Sequence, residues 1–402
     1  MPKPLTSLVF TQFISSFADN VNFFIIIGII TRQGVSNPEG YVLNIQMGFL
    51  LAYVVLAPLV GAYADRNSKS NVLLMGNLLK SIGIGMLLLG IHPIACYAVL
   101  GIGAVVYSPA KYGILTELTN SEKGLLRANA LVEGTTILAI LLGTVAGGIL
   151  ADISDTVGVI TCLITYIISL LLTLLIPRLP GNKSLRYGQS SLEFFKDFKQ
   201  LIRNKKARFS LIGTGAFWLT ASVLRIALIA WIPANLGITD TTSQSMMIGA
   251  TAIGVVASSF ITSRIISVGK LYQSYVFGYL MVGFVIICAF MTSVWISAVL
   301  LFLIGVAGGI FLIPLNTMLQ EVGKDLIGSG KTIAIQNFVE NTLTVSGLLI
   351  FKGLVSSQLS IQLSVVFIGI ILLCFIVVLS VQVGKIKKQA TATAIDSESI
   401  RM

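Results

Sequence analysis

Twelve stretches of this sequence are long and apolar enough to cross a lipid bilayer, and that limits what the chain can fold into. They cover residues 6–31, 45–64, 71–91, 94–115, 125–149, 158–176, 208–235, 246–266, 274–292, 294–318, 332–352 and 361–384. A bilayer-crossing helix needs about 20 mostly apolar residues. In lipid, every backbone polar group must be bonded within the structure. The runs are continuous rather than alternating, so helices are expected and barrel strands are not. Charged residues make up only 11% of the chain, against about 25% in a soluble domain. So few charges could not cover a water-soluble protein of 402 residues. A soluble enzyme, a nucleic-acid binder and a disordered scaffold are all excluded on this ground. The first stretch is too long for a signal-peptide core and has no A-x-A cleavage site, so it is expected to be a retained helix.

The 27 Lys+Arg residues outnumber the 16 Asp+Glu residues, and their positions orient the chain. Twelve spans put both termini on one side. That side and its loops hold 22 of the 27 cations: Lys3, Arg66, Lys69, Lys123, Arg127, nine from Arg178 to Arg208, Arg264, Lys270, Lys324, Lys331, Lys385, Lys387, Lys388 and Arg401. The other side has Arg32 and Lys352, and Lys80, Lys111 and Arg225 lie inside spans. The positive-inside rule makes the basic side cytoplasmic. Charge spread over short loops also argues against a nucleic-acid face.

The expected organisation is a six-helix bundle over 1–176, a cytoplasmic linker over 177–207, a second six-helix bundle over 208–384 and a polar, unstructured tail over 385–402. In the linker, Phe195, Phe198 and Ile202 fall at helical spacing among basic residues, which predicts an amphipathic helix lying on the membrane surface. The halves repeat one another weakly. ALVEGTT at 130–136 matches NFVENTL at 337–343, and Pro109 stands where Pro314 does in the second half. Parallel repeats of six spans, with a substrate site between them at mid-membrane, are the organisation of major facilitator transporters. The loop GAYADRNSKS at 61–70 fits the G-x-x-x-D-R-x-x-[RK] pattern typical of that superfamily, through Gly61, Asp65, Arg66 and Lys69. Its physical use is a cytoplasmic gate: Gly61 permits close helix approach, and Asp65 can cap or pair with a neighbouring helix end. A basic loop without a gating role would share the same charges.

Six ionisable residues fall within the spans: Asp19, Lys80, Lys111, Glu133, Arg225 and Glu340. Each costs roughly 2.5–3.5 kcal/mol at a helix centre on insertion scales, so they must face a polar cavity or one another. Tyr107 with Lys111, Asn129 with Glu133, and Gln336 with Glu340 are spaced i,i+4; Asn77 and Lys80 share a face; Asn20 and Asn22 flank Asp19, and Asn337 precedes Asn341. Such stripes describe a wet cavity wall, although helix-gluing would use the same residues. The candidate cavity set is Asp19, Asn20, Lys80, Tyr107, Lys111, Glu133, Arg225, Asn316, Gln336, Asn337 and Glu340. Alternating access needs contacts that form in one state only. Asp19 with Arg225, and Lys111 with Glu340, are the candidate locks between halves.

YSPAKYGIL at 107–115, RANALVEGTTILAILLGTVAGGILAD at 127–152, ARFSLIGTGAFW at 207–218, WIPANLGITD at 231–240 and IPLN at 313–316 resemble the lysophospholipid transporter family of the major facilitator superfamily. The resemblance covers nearly the whole chain, including FADN around Asp19 and VLR up to Arg225. It implies a flippase of a bacterial inner membrane. Such a protein carries lysophosphatidylethanolamine and lysophosphatidylglycerol from the outer to the inner leaflet, where a partner acyltransferase re-acylates them. Arg225 and Lys111 are compatible with a phosphate, and Asp19 or a glutamate with an amine. Without the resemblance, an exporter of small amphiphiles or drugs fits the same residues, whereas the six intramembrane charges disfavour a non-transporting scaffold or enzyme subunit. The chain is expected to act as a monomer.

Enzyme chemistry is not expected. The single histidine, His92, precedes Pro93 at a turn, and Tyr97 stands where an H-x-x-x-x-D acyltransferase needs its aspartate. There is no G-x-x-x-x-G-K-[ST] loop. Cys96, Cys162, Cys288 and Cys374 are isolated in apolar segments, as core filler would be. No cofactor or metal is expected, and the buried carboxylates leave proton or sodium coupling open.

Overall fold

A computed structural model describes residues 3–32, 38–238, 241–267, 269–357 and 359–399. Among them there is helix and no strand. The α-helices are α1 (Lys3–Arg32), α2 (Pro38–Arg66), α3 (Lys69–Leu88), α4 (Pro93–Gly113), α5 (Leu115–Leu118), α6 (Glu122–Ile153), α7 (Asp155–Thr173), α8 (Tyr187–Leu192), α9 (Phe194–Arg203), α10 (Lys205–Leu236), α11 (Thr241–Ile265), α12 (Tyr275–Ala289), α13 (Val294–Ile327), α14 (Ser329–Ser356) and α15 (Ile361–Ser399). Twelve are long, and they match the twelve expected stretches one for one. Eleven carry a window apolar enough to cross a membrane; α14, with Lys331, Gln336, Asn337, Glu340 and Asn341, is not among them. The chain is therefore a multi-pass helical membrane protein.

Local chemistry sets the helix ends. His92 caps α4 by accepting from the Ile94 N–H at 3.3 Å, with Pro93 in the first turn. Asn204 accepts from the N–H groups of Lys206 and Ala207 at the start of α10, and Gly237 ends that helix at φ 68°. The tail beyond Gly384, expected to be unstructured, continues as helix to Ser399. Its Lys, Gln and Ala content favours helix.

The packing repeats itself. In the first half α1 lies on α6 and α7, α3 on α4 and α7, and α2 on α4. In the second half α10 lies on α14 and α15, α12 on α13 and α15, and α11 on α13. Each contact has its mate in the other bundle, and the two bundles meet where α2 crosses α14 and α6 crosses α11. This is the two-bundle arrangement that the internal repeat predicts. We call the end that holds the α2–α3 loop, the residue 174–204 linker and the α13–α14 turn the basic end.

The linker departs from expectation. Its amphipathic helix, α9, turns its apolar face onto protein instead of lipid. Phe194 and Leu201 are buried with Leu319 and Ile335, and the Phe194 and Phe198 rings meet Phe338 edge-on at 5.5 and 6.3 Å. Asp197 lies on that same face and pairs with Lys331 at 2.8 Å. A lipid-facing helix would turn Asp197 to water. Phe195, expected on the lipid-facing stripe, is not covered by protein and is 67% exposed.

Candidate functional site

At the basic end, the loop expected to be a gate caps a helix of the other half. The first N–H groups of α14 have no partner within their own helix. Asp65 supplies it: its carboxylate accepts from the Gly330 N–H at 2.6 Å, the Lys331 N–H at 2.9 Å and the Ser329 hydroxyl at 3.4 Å. The positive end of the α14 dipole favours that charge. Lys69 stands 3.6 Å from Asp65 and pairs with Glu117 at 2.5 Å. Arg66 turns instead to the linker, donating to the Leu185 carbonyl at 2.6 Å and lying over the Tyr187 ring. Gly61 lets α2 approach α14 closely, since a Cβ there would meet Lys331 Cα at 2.8 Å. Gly328, which sequence reading passed over, is equally constrained: its φ is 98°, and a Cβ would meet Asp65 Oδ2 at 2.5 Å. Its place just before the polar α14 was the available signal.

Above the cap, polar side chains tie the halves together. Asn129 of α6 and Gln320 of α13 exchange two hydrogen bonds at 3.0 and 2.8 Å. Lys324 donates to the Thr116 carbonyl at 2.9 Å, and the Gly269 N–H to Glu122 at 3.0 Å. Asn337 donates to Ser108 at 2.9 Å, and Asn316 to Glu133 at 2.9 Å. Gln336 joins Asn316 to Glu340, at 2.7 Å to each. Gln320, Thr116, Ser108, Tyr112 and Tyr166 were not singled out from sequence. Their roles follow from helix packing, which linear spacing does not encode.

The first expected lock is not made. Asp19 pairs with Lys80 of its own half at 2.7 Å and accepts from the Tyr166 hydroxyl at 2.8 Å. Lys80 also donates to Ser15 at 3.0 Å and lies 4.8 Å from the Tyr107 ring centre. Arg225 has no ion pair among the described residues and is exposed. The reason is reach: α1 and α3 both pack on α7, which brings Asp19 and Lys80 together inside one bundle. Nor is the second lock made. Lys111 has no ion pair with Glu340, and its Nζ sits 4.3 Å over the Tyr112 ring. Asn20 donates to the Ser16 carbonyl at 2.8 Å on its own helix.

Thr214, Trp218, Ser222 and Arg225 share one face of α10 at helical spacing. Thr214 stands beside Glu340 between the halves, so Arg225, three turns further, faces the same interior about 16 Å above it. Helical spacing thus puts Arg225 on the face of α10 that meets the polar, buried plug beneath it.

Comparison with known proteins agrees with this geometry. The family model of the Major Facilitator Superfamily matches residues 8–322. Among curated proteins, the chain is 38% identical over 374 residues to the lysophospholipid transporter LplT of Photorhabdus laumondii, covering 92% of both chains. It is 39% identical over 358 residues to LplT of Salmonella typhimurium, covering 88% of both. Among solved structures, the human organic anion transporter MFSD10 superposes with a TM-score of 0.76 at 14% identity, over 94% of this chain and 100% of the other. The fucose:proton symporter of E. coli gives 0.74 at 14% identity, over 94% and 98%. A bacterial homologue of ferroportin in its outward-facing state gives 0.71 at 14% identity, over 95% and 98%. At such identities the structures establish the fold alone; the sequence relatives establish more. This transporter, not an enzyme, belongs to the lysophospholipid transporter family of the major facilitator superfamily.

Proposed function

We propose that the protein flips lysophospholipids, lysophosphatidylethanolamine and lysophosphatidylglycerol among them, from the outer to the inner leaflet of a bacterial inner membrane. The basic end and both termini lie in the cytoplasm, where an acyltransferase re-acylates the product. The structure is then the state closed to the cytoplasm. One observation carries the reading: Arg225 is an exposed residue without an ion pair among the described residues, on a membrane-spanning helix above a sealed floor. A charge there is costly unless its partner arrives from outside. A phosphodiester matches its fork, and Asp19, 24% exposed beside Lys80, faces the amine of an ethanolamine head. The nearly 40% identity to curated lysophospholipid transporters supports that substrate class over other amphiphiles.

The test is leaflet-specific uptake of labelled lysophosphatidylethanolamine by proteoliposomes holding the purified protein. Uptake is expected, and its absence with folded protein rejects the reading. Hydrogen bonds to charged groups contribute about 1.5–3 kcal/mol. Arg225→Ala is therefore expected to weaken uptake at least about ten-fold at low substrate, with Arg225→Lys intermediate because it keeps the charge and loses the fork.

A further inference from the structure

Each half sends one glutamate into the shared interface, at matching positions. Glu133 lies eleven residues into α6 and Glu340 eleven residues into α14, the equivalent helix of the repeat. They are 1% and 8% exposed. Neither has an ion pair among the described residues, and each is held by neutral donors. Glu133 accepts from Asn316 and from the Tyr112 hydroxyl, both at 2.9 Å. Glu340 accepts from Gln336 at 2.7 Å. Because Gln336 also donates to Asn316, one hydrogen-bonded chain runs from the first carboxyl to the second.

The groups facing the pair are few. Lys111 and Tyr112 come from α4, Asn316 from α13, Gln336 from α14 and Thr214 from α10. Lys111 is a single cation near two carboxyls, and its ammonium lies on the Tyr112 ring instead of on either. The other acid within reach, Asp19, is already matched by Lys80. With both glutamates ionised, the plug would hold one negative charge more than it can balance. A buried carboxylate in that position takes up a proton. Thr214 of α10 stands beside Glu340 as a further neutral group.

We propose that Glu133 and Glu340 form one proton-binding site shared by the two halves, filled while the basic end is closed and emptied as it opens. The proton comes from water, forms an O–H on a carboxyl oxygen and returns to water; no other reactant takes part. Its loss leaves two like charges facing one another across the interface, held by one lysine, and favours separation of the halves. This inference rests on the alternating-access part of the reading above and not on the lipid substrate.

The test uses full-length protein in lipid nanodiscs without lysolipid, so a failed transport assay does not decide it. Spin labels replace Asn71 on α3 and Asp325 at the end of α13, both exposed at the basic end, with the exposed Cys374 changed to Ser. The distance between labels is read from about pH 5 to about pH 9. A short distance at low pH is expected to give way to a longer one as pH rises, with the ratio changing by no more than about ten-fold per pH unit, the slope of one proton. Glu340→Gln is expected to keep the short distance throughout, and Glu133→Gln to flatten the response likewise. A wild-type distance indifferent to pH overturns the proposal, even if neither variant folds. So does a Glu340→Gln protein that keeps the wild-type response. Closure at high pH when sodium chloride replaces choline chloride would assign the site to sodium and also overturn it.

Discussion

Lys80 keeps its ammonium where almost no water reaches. Its side chain is 2% exposed, and it depends on Asp19, Ser15 and the Tyr107 ring for what hydration would have supplied. A buried pair is weak evidence of stability, but removing one member strands the other, at about 3–5 kcal/mol. Lys80→Met is expected to destabilise by that much, and Asp19→Asn combined with Lys80→Met to recover most of the loss. Thermal unfolding of the singles and the double in detergent checks this; additive losses would mean the pair is not coupled. The sequence shows that each residue needs a partner inside the membrane. It does not show which, because the pairing depends on α1 and α3 meeting on α7. Asp65 was more legible, since the motif's place next to a loop already points it at a helix end.

The linker acts as a strap across the closed gate. At one side the Asn182 N–H donates to the Asp65 carbonyl at 2.8 Å and Arg66 holds Leu185. At the other, Asp197 holds Lys331, whose own N–H is bound to Asp65, and Gln200 donates to the Leu326 carbonyl at 3.3 Å. Opening the basic end must break one of these attachments. Asp197→Lys sets two ammonium groups against each other and is expected to free α9. Limited trypsin digestion of reconstituted protein should then cut near Lys199 and Arg203 faster than in wild type; an unchanged rate would show that the strap holds without the ion pair. The periodicity of Phe198 and Ile202 revealed the helix but not its partner. An apolar face reads the same whether lipid or Phe338 covers it.

At the scale of the whole molecule, the two bundles are joined at the basic end by polar contacts that the proposed alternating access has to part. Asn129 and Gln320 make the tightest reciprocal one. Asn129→Cys with Gln320→Cys is expected to crosslink readily, abolish lysolipid uptake and regain it on reduction; uptake by the crosslinked protein would show that this interface never opens. The architecture was largely legible beforehand. Twelve apolar runs, the repeated V-E sequence around Glu133 and Glu340, and the DRNSK loop each constrain it independently. The conformation was not, because one sequence has to serve both the open and the closed state, and its locking contacts are only visible in the state that makes them.

The polarity of α14 bears on how the chain is made. Helices reach the membrane in order of synthesis, each partitioning by its own hydrophobicity. Ser329–Ser356 is the long helix that falls short of that standard, yet it carries Gln336 and Glu340 and receives the Asp65 cap. It has to borrow a polar surface already in place, and α2 offers one that was inserted nine long helices earlier. Biogenesis would then hold the second bundle unfinished until the first is assembled, so that the contact which later gates transport also serves as an assembly checkpoint.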